Sequence, residues 1–230
     1  MLKRILLAGL VAGLIGGILI SIVQEFTTTP LILHAEEFEG VSAGGHSHAA
    51  ASEHSHASSG GEAEVWGPAD GIQRTLFTSF GNVVAGMGFA LMLVAGFALH
   101  GGEIDGRRGI IWGLAGFAVF SLGPALGLPP EVPGAMTADL VSRQGWWLST
   151  AAATALGLGL MIFGRKAAWI VLGAVILAAP HIVGAPQPDK LGGPVPPEIA
   201  AHFVAASLVT AAVFWAMLGW LSGTFYRRFA

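Results

Sequence analysis

The sequence predicts an all-α polytopic membrane protein of about six transmembrane helices, and three observations carry that expectation. First, 53% of the 230 residues are hydrophobic and only 11% are charged, against roughly 25% charged in a soluble domain. So few charges cannot cover a water-facing surface of this size, and lipid is the natural solvent for the body. Second, apolar stretches recur along the chain at the length of about 17–25 residues that crosses a bilayer. Third, the basic residues come in pairs that fall in alternate connections, the pattern that sets the orientation of membrane helices.

The first stretch, Ile5–Phe26, follows Lys3-Arg4. It exceeds the 7–15-residue apolar region of a typical secretory signal and is not closed by a small-residue cleavage site, so it reads as an uncleaved span. Gly9, Gly13 and Gly17 recur every four residues along it and give one face smooth enough for a second helix to approach closely. Residues 27–75 form the longest connection, of low complexity between Gly40 and Gly67, and are expected to be a disordered loop because they bury too little apolar surface to fold alone. Leu76–Leu99 and Gly109–Leu126 are the second and third spans.

Trp146–Phe163 and Ala167–Val183 follow, separated only by Gly164-Arg165-Lys166. They read as two spans joined in a tight hairpin; a single kinked, re-entrant element, leaving five spans, is the alternative. Ile199–Leu221 is the last. The connections at 127–145 and 184–198 are rich in proline, which fixes φ and stiffens a loop. There is no cysteine, and hence no disulfide or thiolate metal site.

With both termini cytoplasmic, the inner segments hold Lys3, Arg4, Arg107, Arg108, Arg165, Lys166, Arg227 and Arg228, and the outer ones only Arg74, Arg143 and Lys190. Omitting any one span would scramble this alternation. A multi-pass protein of a bacterial inner membrane is the expected setting. The basic residues lie in isolated pairs rather than a patch, which excludes a nucleic-acid partner. No phosphate-binding loop, H-E-x-x-H pair or G-x-S-x-G elbow occurs, so the chain is expected not to be an enzyme.

The residues able to carry chemistry fall into two groups. In the long outer loop, His46, His48, His54 and His56 form two His-x-His pairs, with His34 and several glutamates nearby. Imidazole binds divalent transition metals, and clustered carboxylates concentrate cations. A flexible segment binds weakly, which suits an antenna better than a transport site. The second group is sparse. An ionisable group within a span costs roughly 2.5–3.5 kcal/mol on insertion scales and is a functional candidate. Glu25, His181 and His202 stand at similar depth near the outer ends of three spans and form a candidate membrane metal site. Asn82 reads as glue between helices, His100 as an interfacial residue, and the tryptophans near span ends as an aromatic belt. Pro124 and Pro180 interrupt spans near their outer ends, where freed carbonyls can face a cavity.

The opening Met1–Leu14 with Gln24-Glu25, the His-containing outer loop, the block Leu122–Gly134 with its prolines, Arg143-Gln144-Gly145-Trp146-Trp147, and Ala179-Pro180-His181 with Pro196-Pro197-Glu198 together resemble the CbtA family, the predicted cobalt transporter subunit of bacteria. The resemblance implies cobalt uptake associated with cobalamin synthesis, and a small single-span partner, CbtB, that also carries histidines. No permanently bound cofactor is expected: the metal is cargo, cobalt first, although nickel or zinc suits the same donors. A membrane sensor or scaffold whose partner forms the path is the second reading.

Overall fold

The computed structural model describes residues 1–43, 68–69, 71–190 and 192–230, with the side chains of residues 39–43 excepted. Among the described residues the chain is helical, without strands. Among the described residues five helices are long and apolar enough to cross a membrane: α1 (Leu2–Phe26), α3 (Ile72–His100), α4 (Gly106–Ala125), α5 (Leu140–Phe163) and α7 (Pro197–Arg228). The sixth expected span is helix α6 (Ala167–Val183), of 17 residues, or roughly 26 Å at 1.5 Å per residue. Residues 164–166 join α5 to α6, and the two helices run antiparallel. Trp146 meets Pro180 and His181, Gly157 abuts Gly173, and Gly164 abuts Trp169. The single-kinked-element alternative is therefore set aside.

The chain ends meet. Arg4 donates from Nε to the Tyr226 carbonyl at 2.7 Å, and its guanidinium lies 3.7 Å from the centroid of the Tyr226 ring. Ends on one face of a bundle require an even number of traverses. The five long helices alone do not supply that; α6 completes the count. At this terminal end Gly223 abuts the Asp105 backbone, and His100 contacts Trp112 and Phe163. Asp105 caps α4 by accepting from the Arg108 N–H at 2.9 Å, a bond that holds its carboxyl below the ordinary range. The terminal end thus gathers all four basic pairs.

Two glycine seams set the packing. A Cβ on Gly9 would lie 2.6 Å from Leu91 Cδ2, one on Gly17 2.8 Å from the Asn82 carbonyl oxygen, and one on Gly13 inside the α3 backbone. The second seam, Gly109 and Gly113 of α4 against Gly219 and Gly223 of α7, is equally close, because small side chains let helix backbones touch where lipid supplies no hydrophobic drive. Below mid-depth Ala12, Leu93, Val94, Phe97, Leu218 and Leu221 form the core cluster, beside an apolar cavity of about 420 Å³ lined by Leu93, His100, Trp112, Leu158 and Phe163.

The far end differs from expectation. Thr29–Ala43, expected to be loop, forms helix α2. Its start carries a Thr-Thr-Pro signal, and proline is well tolerated in a first helical turn. Glu36, Glu37 and Glu39 hide it from a hydropathy reading. Ala35 is wholly buried against Val132 and Phe203, so tertiary packing stabilises a helix too polar to be a span. Arg74 Nη1 donates to Glu36 Oε2 at 2.8 Å, and this pairing holds the Glu36 carboxyl below its ordinary value despite some opposing burial. The His pairs 46/48 and 54/56, with the expectation of disorder around them, lie outside the described residues.

Candidate functional site

In α4 the regular helix gives way to a π-helical turn, Ala118–Leu122, immediately before Pro124. Proline has no N–H to donate, so a carbonyl of the preceding turn loses its helical partner, and π turns are frequent at functional sites. This turn places Phe120 and Ser121 on the wall of two adjoining cavities at the far end of the bundle.

The larger cavity, of about 980 Å³, lies beneath the proline-rich segment Leu128–Pro133 and is lined also by Arg143, Gln144 and Trp147. Arg143 is ion-paired with Glu131 there, so its charge is matched. The smaller, of about 400 Å³, goes deeper. The two share Ile32, Phe120, Ser121, Phe203, Ser207 and Ala211. The deep cavity is lined by neutral polar groups: Gln24 and Thr28 near the end of α1, Asn82 of α3, Ser121, and Ser207 and Thr210 of α7.

Two separate sets of hydrogen bonds tie the end of α1 to α3 and to α7. Asn82 Nδ2 donates to Gln24 Oε1 at 2.6 Å and to Ser21 Oγ at 3.0 Å, and Ser21 in turn donates to the Gly17 carbonyl at 2.8 Å. Thr210 Oγ1 donates to Thr27 Oγ1 at 3.2 Å, which donates to the Val23 carbonyl at 2.9 Å. Beneath lies an aromatic floor. Phe120 stacks on Trp215 with centroids 5.7 Å apart, and Phe89 packs against both at 5.4 and 4.8 Å. Trp215, 2% exposed, donates from Nε1 to Ser121 Oγ at 3.3 Å. The floor separates these polar-lined cavities from the apolar core cluster of Ala12, Leu93, Val94 and Leu218.

The expected trio Glu25, His181 and His202 is not brought together. Among the described residues no group of three His, Cys, Asp or Glu side chains could hold a metal ion. Similar depth along a span does not fix the direction a residue faces around its helix. Glu25 is half-buried without an ion pair among the described residues, and His202 is exposed in the first turns of α7. His181 belongs to α6, which among the described residues packs mainly on α5. Its ring stands edge-on to Trp146 at 5.8 Å, and its Nε2 is buried without a hydrogen-bond partner. His34 is exposed beside Phe38 on α2.

The sequence reading singled out Gln24 and Asn82 but passed over Ser121, Ser207 and Thr210. Hydroxyls are common in membrane helices, and only the Trp215 contact and the cavity lining distinguish these three. Pro124, which interrupts its span, was the one local signal in the sequence. No curated protein and no solved structure matches the chain. The CbtA family model, described as the probable cobalt transporter subunit (CbtA), matches residues 2–227, and the chain belongs to that family.

Proposed function

We propose that this chain is the membrane subunit that takes up cobalt, in a bacterial inner membrane and in supply of cobalamin synthesis. The observation that carries the reading is the blind cavity pair. It hollows the far half of the bundle and stops at the Phe89–Phe120–Trp215 floor, above the core cluster around Leu93, Val94 and Leu218. The cavity in the terminal half, lined by Gly96, His100, Trp112 and Phe163, is apolar and shares no lining residue with the deep cavity. A carrier at rest needs a path open to one side and sealed to the other. The basic pairs at the terminal end make that end cytoplasmic by the positive-inside rule, so the cavities open outward and favour import.

In this reading His46, His48, His54 and His56 collect the ion at low concentration, and it enters beneath Leu128–Pro133. Cobalt leads over nickel and zinc through the family. The donor types alone do not rank it first, since nitrogen and oxygen ligands favour nickel and copper over cobalt. A second membrane component, such as a small histidine-bearing single-span subunit, completes the transporter.

The test is radiolabelled cobalt uptake into vesicles containing this chain, alone and with a partner, with nickel and zinc as competitors. Deleting residues 45–60 should lower uptake mainly at low cobalt; loss at saturating cobalt would refute the antenna role. The lack of a three-ligand cluster among the described residues favours the second reading, a scaffold whose partner forms the path. Uptake by this chain alone would exclude it.

A further inference from the structure

The chemistry of the deep cavity is unusual for a transition-metal carrier. Its described lining contains no histidine, carboxylate or sulfur; the polar groups are the amides of Gln24 and Asn82, the hydroxyls of Thr28, Ser121, Ser207 and Thr210, and the Trp215 indole. Amide and hydroxyl oxygens are hard, uncharged donors, whereas imidazole is the ligand suited to binding such metals directly. The same oxygens are good acceptors for the hydrogens of a metal's own coordinated waters.

Size agrees with that use. Six coordinated waters at about 30 Å³ each occupy roughly 180 Å³, and the cavity holds about 400 Å³. The acceptors are also held in place. Asn82 Nδ2 is committed to both Gln24 and Ser21, which leaves the side-chain Oδ1 of Asn82 and the second lone pair of Gln24 Oε1 as fixed acceptors. Farther out, the Arg143–Glu131 pair cancels its own charge, so no bare carboxylate in the described lining competes for the metal.

We propose that the deep cavity binds the divalent metal as its intact hydrated ion, through outer-sphere hydrogen bonds from coordinated waters to Gln24, Asn82, Ser121, Ser207 and Thr210. The proposal rests on the import reading above and names the form in which the cargo is recognised. Selectivity then follows the size and hydration geometry of the ion rather than its preference for nitrogen ligands. An ion passed in this form need not shed its waters at the cavity, so recognition there does not demand dehydration.

The probe is hexaamminecobalt(III). Its six ammines do not exchange on the timescale of an uptake assay, and they present N–H donors on a complex about the size of the hydrated ion. In vesicles that take up radiolabelled cobalt(II), hexaamminecobalt(III) should compete, and tris(bipyridine)cobalt(III), equal in charge but bulkier and without N–H groups, should not. Gln24→Met, close in shape but lacking the acceptor, should weaken inhibition by hexaamminecobalt(III) several-fold.

Cobalt uptake indifferent to excess hexaamminecobalt(III), or inhibited equally by both complexes, would overturn the proposal while leaving import intact. No cobalt uptake with or without a partner would remove the import reading and this one with it. The wild-type comparison decides the matter even if Gln24→Met fails to fold.

Discussion

Gly13→Ala is the sharpest test of how the scaffold around the cavity is held. A Cβ at Gly13 would lie 2.6 Å from the Gly86 carbonyl carbon and closer still to Met87 Cα and N. These are backbone atoms of α3 and cannot rotate away. Carbon atoms pack at about 3.5–4.0 Å, so α1 and α3 must part by about 1 Å. A gap of that size forfeits roughly a quarter to a half of the dispersion energy along the seam, and overpacking costs typically about 1–3 kcal/mol. Alanine returns up to about 1 kcal/mol of helix propensity. The net expectation is a loss of about 1–2 kcal/mol.

Gly88 supplies the control, on the facing helix α3. Nothing lies within 4 Å of a Cβ added there, so Gly88→Ala keeps only the propensity gain, about 0.5–1 kcal/mol. The two substitutions should move stability in opposite directions. The assay is reversible unfolding in mixed micelles by titration with denaturing detergent. Equal shifts, or a neutral Gly13→Ala, would refute the close seam.

Three further outcomes follow from the geometry. Ser121→Ala and Trp215→Phe each remove the Trp215–Ser121 hydrogen bond; a double-mutant cycle in the same unfolding assay should return a coupling of about 0.6–1 kcal/mol, the usual size between membrane helices, and zero coupling would remove the bond. His181→Phe keeps an edge-on contact with Trp146 and deletes a buried Nε2 that lacks a partner, so stability should hold or rise, with cobalt uptake unchanged; lost uptake in a folded variant would return His181 to the path. Glu36 is held below its ordinary value of 4.5 by Arg74. A carboxyl depressed in the folded state stabilises above its unfolded pKa, and that contribution is lost as pH falls through the folded one. Melting curves should therefore drop on acidification below about pH 4.5 in wild type, and drop less in Glu36→Gln; identical pH profiles would show that the pair does not anchor α2.

The helical class, the places of the apolar helices and the Gly9–Gly13–Gly17 seam were all legible in the residues, because each rests on local composition or on a helical period. Lipid demands about 20 apolar residues whatever the neighbours do, and a four-residue glycine repeat makes a smooth face wherever the helix packs. The basic pairs were legible for the same reason, and the Arg4–Tyr226 contact puts both chain ends on one face. Helix α2 was not, since burial of Ala35 against Val132 and Phe203 is a contact between segments distant in sequence.

The candidate site divides in the same way. Sequence determined that Gln24, Glu25, Asn82, His181 and His202 lie near one end of their helices, because depth follows from counting residues along a span. Only the tertiary structure decided which of them meet. Rotation about each helix axis and the choice of neighbours bring Asn82 to Gln24 and leave His181 on a helix that packs mainly on α5. A one-dimensional pattern fixes height in the membrane; the azimuth that turns a polar residue toward a cavity, a neighbour or lipid is set by packing among all the helices at once.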